Sequence, residues 1–405
     1  MKKIFKKKEF FMYTLLSAYI FLTTFSNTAW YVINEGTKVY ALLKLIRYVC
    51  YIMFVAIVIG KNVKHRYSIE SIIFMMGLLI FSGIAACTGK EKVLLFMVLF
   101  LAASYGVKSD KILKCALGVQ GGLLFLTIFA AFLGITDNSL LDVERKRYSL
   151  GFAWSSLAPI LYFFVIMLYI YARKTKITLI ECLVLEIINI FIYKYTNTRM
   201  SFWVSTILLA SDMTCLFSIK FKDALYRLII RLKKMIVLIP VISSVISCML
   251  PLYTANGGVW EKLNTILSGR LWQCKNAIFT YGFSLFGVHM SVDGFTVANK
   301  GATDTSCFID MGYLHIAIEY GLFVLVMIVS IYTICIWKAY KNNDICMVCI
   351  IVVLSLFCIN DRFLLHAFNV FIIYAFCDND VFKEINILKS MSKPIYKIIG
   401  MKRDN

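Results

Sequence analysis

The sequence predicts an all-α, polytopic membrane protein with about twelve transmembrane helices. Three observations predict it. First, 60% of the 405 residues are hydrophobic and only 16% are charged, with a mean hydropathy of +0.78. A soluble domain is about half apolar and about a quarter charged. Second, the apolar residues fall in blocks of about 17–25, long enough for a helix to cross about 30 Å of hydrocarbon. Third, 28 of the 43 Lys and Arg residues fall in segments that alternation assigns to one side. That bias marks the cytoplasmic side.

The helices are expected near 9–27, 41–60, 69–87, 92–106, 113–134, 150–172, 177–193, 200–219, 235–253, 311–337, 345–360 and 362–377. The basic start from Met1 to Lys8 stays inside, and the first block lacks a small-residue cleavage site, so it reads as an uncleaved span. Both termini are then cytoplasmic, with residues 378–405 as a tail. The richness in Lys, Ile and Asn suggests an AT-rich bacterial genome, and the chain is expected in the bacterial cytoplasmic membrane as a multi-pass protein. With four prolines and no short alternating segments, a membrane barrel is excluded. The net charge of +20 gathers on the cytoplasmic side, where it meets anionic lipid rather than nucleic acid. Cys50, Cys182, Cys248, Cys335 and Cys349 lie inside apolar blocks and act as small apolar residues, so neither a disulfide set nor a metal site is expected.

The chain reads as a single membrane domain, 1–405, with one large external loop, 253–309. Within it Trp260, Leu263, Leu267, Leu271, Cys274 and Ile278 keep helical spacing, which predicts an amphipathic interfacial helix. The polar stretch 291–306 reads as a lid. No repeat relates the two halves, as a transporter of the inverted-repeat type would show. No glycine-rich phosphate loop appears, so nothing points to ATP, and no cofactor is expected.

Three external arginine positions stand out: Arg145 and Arg147, Arg199, and Arg270. A guanidinium at the hydrocarbon edge is costly unless it is paired or sits in a water-filled cavity. It also makes bidentate bonds to phosphate. The alternative is plain interface anchoring. Where the long loop re-enters the membrane stand Asp310, Tyr313, His315 and Glu319. His315 and Glu319 are i and i+4, so they share a helix face. A carboxylate beside an imidazole suits proton abstraction, and equally a structural contact between helices. His289 on the loop is a competing base. His366 reads as an interface anchor and His65 as a surface residue. Glu181, Glu186 and Asp212 are possible buried partners of the arginines.

Several stretches resemble the Wzy-type O-antigen and capsule polymerases of the O-antigen ligase/polymerase superfamily. Arg147-Tyr148-Ser149-Leu150-Gly151-Phe152 is similar to the family's Arg-x-Ser-Leu-Gly-Phe. Thr196-Asn197-Thr198-Arg199-Met200-Ser201 is similar to its Thr-x-Ser-Arg-x-Ser. Leu267-Ser268-Gly269-Arg270 and Leu285-Phe286-Gly287 match parts of its outer loop, and Ile309-Asp310 to Tyr320-Gly321 its return helix. The likeness runs from about 145 to 325. Trp154-Ser155-Ser156 departs from the Pro-Asn many relatives carry.

The resemblance implies a GT-C-like membrane glycosyltransferase that needs no metal. It would polymerise oligosaccharide repeat units carried on undecaprenyl diphosphate at the outer face of the membrane, for capsule, exopolysaccharide or O-antigen. Arg147, Arg199 and Arg270, with Arg145 and Tyr313, would bind the diphosphate and substrate. His289 or His315 would act as base, with Asp310 and Glu319 orienting. Its partners would be the lipid-linked oligosaccharide, the bilayer, and a flippase and chain-length regulator of the same pathway. The alternatives are a ligase that moves finished polymer, and a transporter or flippase.

Overall fold

The computed structural model describes residues 2–63, 69–89, 92–143, 145–255, 257–290, 296–297 and 307–378. Thus most of the expected lid, His65 and all but Asp378 of the expected cytoplasmic tail lie outside the described residues. Along the chain run α1 (Lys2–Phe25), α2 (Ala29–Ile33), α3 (Lys38–Val63), α4 (Ile69–Thr88), α5 (Val93–Ser104) and α6 (Ser109–Phe132). A short hairpin follows, β1 (Leu140–Asp142) against β2 (Arg147–Tyr148). Then come α7 (Leu157–Arg173), α8 (Leu179–Thr196), α9 (Arg199–Phe217), α10 (Ile219–Arg231), α11 (Lys233–Val237) and α12 (Ile239–Met249). The long loop carries α13 (Gly258–Ile266) and α14 (Arg270–Tyr281). The chain returns through α15 (Gly312–His315), a π-helical turn Ile316–Tyr320, α16 (Leu322–Lys341) and α17 (Ile345–Phe357).

The protein is therefore mostly helical, and among the described residues four helices are long and apolar enough to cross a membrane: α3, α6, α9 and α16. Shorter apolar helices include α5, α7 and α17. The centre of the bundle is α7, apolar all round, with Phe163, Phe164, Ile166 and Met167 fully buried. A helix with no polar face has to be enclosed by others. Conversely Ile52, Phe125, Ile187 and Ile207 are more than half exposed on the rim, a surface suited to lipid tails.

Hydrogen bonds between connecting segments join stretches that the sequence assigns to one side. On the side expected to be external, Thr28 pairs with Phe152, and the Asn197 amide donates to the Arg145 carbonyl. On the opposite side Ser109 binds Asp378, and Lys174 pairs with Asp344 at 3.1 Å. Glu181 belongs to that second set. It closes a capping box with Thr178 and pairs with Arg173 at 2.7 Å, so it is no partner of the outer arginines. Glu186 is held inside the α8–α9 pair by Thr206 and Asn189.

Two expectations about helices fail. Residues 362–377 do not form a twelfth helix. After α17 the chain makes a turn, 358–362, then runs unwound to Asp378, with only a 3-10 turn at Phe371–Ala375. Yet Phe363, Leu364, Phe368 and Phe371–Cys377 are buried. Unwound backbone away from water needs partners for its carbonyls. Side chains of other elements supply them. Gln120 donates to Phe368, Tyr332 to Leu364, and Lys338 to Cys377. Asn369 donates to Phe363 and Leu364 within the segment itself.

The single amphipathic helix expected over Trp260–Ile278 is two helices. Ser268 and Gly269, at φ 59° and 83°, break it. Both lie in the left-handed region, where glycine is at ease and serine is not. The break turns Leu271, Cys274, Ala277 and Ile278 of α14 inward onto Ile309, Met311, Leu314 and Ile318. This face is a small protein core of its own. Large apolar side chains stay exposed at Val259 and Ile266 of α13 and at Phe279 of α14.

Candidate functional site

A cavity of about 940 Å³ opens between two walls. One wall comes from α1, α3 and α5, and the other from the return segment 312–320 and from 362–370. The second wall depends on an unusual local fold. The π-helical turn cannot close its own backbone bonds as an α-helix would, and such turns often mark functional sites. Segment 284–289 clamps it. Val288 donates its N–H to the Ile318 carbonyl, and Leu322 and Phe323 donate back to the carbonyls of Ser284 and Leu285. Gly287 and Gly321 touch backbone at this seam, and a Cβ on Gly287 would run into the Glu319 carbonyl. Both glycines have positive φ, 89° and 94°. This explains the Leu285-Phe286-Gly287 and Tyr320-Gly321 motifs by close backbone approach.

The clamped turn carries His315 and Glu319 into the cavity lining. Their Nε2 and Oε2 lie 2.7 Å apart, with side chains 17% and 10% exposed. A carboxylate oxygen only accepts, so His315 presents Nε2–H to Glu319, and the pair fixes the ring. His289 also lines the cavity, and its Nδ1 lies 3.0 Å from the Gly89 carbonyl. A carbonyl too only accepts, so Nδ1 carries the proton and the neutral ring keeps a lone pair on Nε2. Arg362 lines the same wall and packs over Phe308, and its charge acts on Glu319. His366, expected at the interface, lies in this wall between Phe363 and Phe368.

Beside the cavity stands an ion cluster. Arg270 binds Asp310 through Nε at 2.8 Å and Asp361 through Nη1 at 3.4 Å, and Nη1 also donates to the Asn360 carbonyl at 2.7 Å. Burial works against the Arg270 charge, but Asp361 and Asp310 outweigh it and hold its proton more firmly than usual. Asp361 is pushed up to about 7 by its burial, with Arg270 opposing and Asp310 adding to the rise. The cluster ties α14 to the return segment and to the turn after α17.

The remaining predicted residues sit apart from the cavity lining. Arg147 donates from Nε to the Thr196 carbonyl and from Nη2 to the Thr198 hydroxyl, at 2.9 and 3.0 Å. Burial lowers its proton affinity, and it is within electrostatic reach of Arg270 and Asp310. Arg199 begins α9 and is exposed, as is Arg145. Tyr313 is fully buried and donates its hydroxyl to the Ser355 carbonyl at 3.2 Å. That burial removes it as a direct substrate contact, because its hydroxyl and ring are both used in packing. Asp310 is engaged by Arg270 rather than by a histidine, so it does not orient His289 or His315.

Three cations in the lining were missed by sequence reasoning: Arg362, Lys92 and Arg47. Arg47 had a signal, since with Lys44 it is one of two basic residues inside the otherwise apolar block 41–60. Among the described residues no group of His, Cys, Asp and Glu is placed to hold a metal ion. The Cys346-x-x-Cys349 pair within α17 consists of free thiols. No family model, no curated protein and no solved structure matches the chain.

Proposed function

We propose that the chain is a glycosyltransferase that polymerises lipid-linked oligosaccharide repeat units at the outer face of a bacterial cytoplasmic membrane. One observation carries this reading: a large cavity in a membrane protein is lined by a fixed His315–Glu319 pair, by cations and by aromatic rings. A polyprenyl diphosphate glycan is an anion, a sugar chain and an apolar tail in one molecule. The cavity offers each part a suitable surface.

In this reading an acceptor hydroxyl oxygen attacks the anomeric carbon of the donor. The bond from that carbon to the diphosphate oxygen breaks, and the hydroxyl proton passes to an imidazole. His315, oriented by Glu319, is the base we favour, with His289 Nε2 as the second candidate. Charge builds on the leaving diphosphate, and the Arg362 guanidinium on the same wall stabilises it. Arg270 and Arg147 act as fasteners around the site, since their donors are taken by Asp310, Asp361 and Thr196. We further propose about eleven membrane crossings by helix and one by the unwound segment after the outer turn. This keeps both ends cytoplasmic and the 253–309 loop outside.

Deleting the gene separates this reading from its relatives. A polymerase deletion leaves single repeat units on the lipid. Accumulation of long lipid-linked chains would point instead to a ligase, and units trapped at the inner face would point to a flippase.

A further inference from the structure

Arg47 is the cation hardest to explain structurally. It lies nine residues into α3, one of the helices long and apolar enough to cross a membrane. It lines the cavity, and among the described residues no carboxylate lies within ion-pair distance of it. A guanidinium at that depth is costly and is kept where it faces a polar cavity or a ligand. Its neighbours in the lining are Tyr48 and Tyr51 on its own helix, Tyr19 on α1 and Phe96 on α5. Tyr51 and Phe96 stack at 3.8 Å. Lys92, exposed at the start of α5, is the second cation of this wall. Among the described lining residues Arg47, Lys92 and Arg362 face a single carboxylate, Glu319, which His315 already holds. The excess is positive, and it is divided between the two walls.

A polymerisation brings two lipid diphosphates together, one that leaves and one that stays on the acceptor. On the proposed function above, Arg362 and the histidines serve the first. We propose that Arg47, assisted by Lys92, forms a second anion site that holds the diphosphate headgroup of the lipid-linked glycan that does not react. The aromatic rings beside Arg47 flank the headgroup, where sugar and polyprenyl chain diverge. Outside them α3 presents Leu45, Val49 and Ile52 to the lipid-facing rim, all more than 40% exposed, so the lipid tail stays in the bilayer. Arg47 is here a binding residue, and the bond that breaks lies at the other wall.

The test uses the full chain in nanodiscs, titrated with undecaprenyl diphosphate, undecaprenyl monophosphate and inorganic pyrophosphate. Wild type should bind the lipid diphosphate most tightly. Arg47→Met should weaken that binding at least ten-fold, Lys92→Ala about three-fold, and Arg47→Lys should fall between wild type and Arg47→Met. Lys114→Ala, an exposed charge paired with Asp110 on α6, should change nothing. Because Arg47→Met removes an unpaired charge from an apolar helix, its melting point should equal or exceed that of wild type. A purely structural arginine would lower it. In elongation assays Arg47→Met should raise KM and spare kcat. Unchanged lipid binding in a well-folded Arg47→Met overturns the site. So does inorganic pyrophosphate binding as tightly as the lipid, or a loss confined to kcat. The two proposals can fail separately. A chain that binds the lipid through Arg47 but never elongates it keeps this site and loses the polymerase. A chain that elongates with unaltered KM in Arg47→Met keeps the polymerase and loses this site.

Discussion

Arg270→Ala should act first on stability, because this guanidinium is bound by the protein groups Asp310, Asp361 and the Asn360 carbonyl. The substitution strands Asp361, whose side chain is only 7% exposed, beside Asp310, which is 25% exposed. Breaking a fully buried ion pair by removing one partner costs about 3–5 kcal/mol. Arg270 itself is 21% exposed, so water reaches part of the cluster and about 2–4 kcal/mol is the better expectation. Asp361 would respond by taking up a proton, which limits the cost near neutral pH. The informative comparison is therefore with Arg270→Met/Asp361→Asn, which leaves only the part-exposed Asp310 without its partner and should recover at least half of the loss. The assay is thermal unfolding in one fixed detergent or nanodisc, alongside membrane insertion. An Arg270→Ala chain that melts with wild type, or a double variant no better than the single one, would refute the reasoning.

Further expectations follow from the same geometry. Gly287→Ala drives a Cβ into the Glu319 carbonyl at positive φ; it should unseat the π turn, lowering the melting point by several degrees and abolishing elongation. Gln120→Leu strands the buried Phe368 carbonyl of the unwound segment and should cost about 1–3 kcal/mol, read as a lower unfolding midpoint. The Asp361 carboxyl is raised from its ordinary 3.8 to about 7. A raised acid favours the fold while protonated, so its stabilising contribution is complete below about pH 4 and is lost as pH rises through 7. Asp361→Asn should remove that decline between pH 5 and 8 in a melting-point series. His315→Ala should lower kcat far more than KM, and His289→Ala should lower it less; the reverse order would transfer the base to His289.

The helical class and the apolar blocks were legible, because burial in lipid or protein imposes the same composition on every crossing segment. That very sameness hid the unwound segment. Residues 362–377 are as apolar as a helix, and the groups that satisfy their carbonyls, Gln120 and Tyr332, lie far away in sequence. The His315–Glu319 pair was legible because i and i+4 spacing is local. The partners of Arg270 were not, since Asp361 lies about ninety residues on. Tyr313 shows the limit of motif reading. Its position in a motif reflects packing against Ser355 rather than contact with the cavity. Arg47 was overlooked because hydropathy averaging absorbs one or two charges, although Lys44 and Arg47 are the local irregularity of the 41–60 block.

The central claim is tested most directly by giving the purified protein a defined undecaprenyl diphosphate-linked repeat unit and following product length. The account predicts a ladder of lipid-linked polymer with release of undecaprenyl diphosphate, lost in His315→Ala and in Glu319→Gln. A protein that moves the lipid-linked unit across a liposome membrane without lengthening it, or that elongates undiminished in both variants, would contradict it.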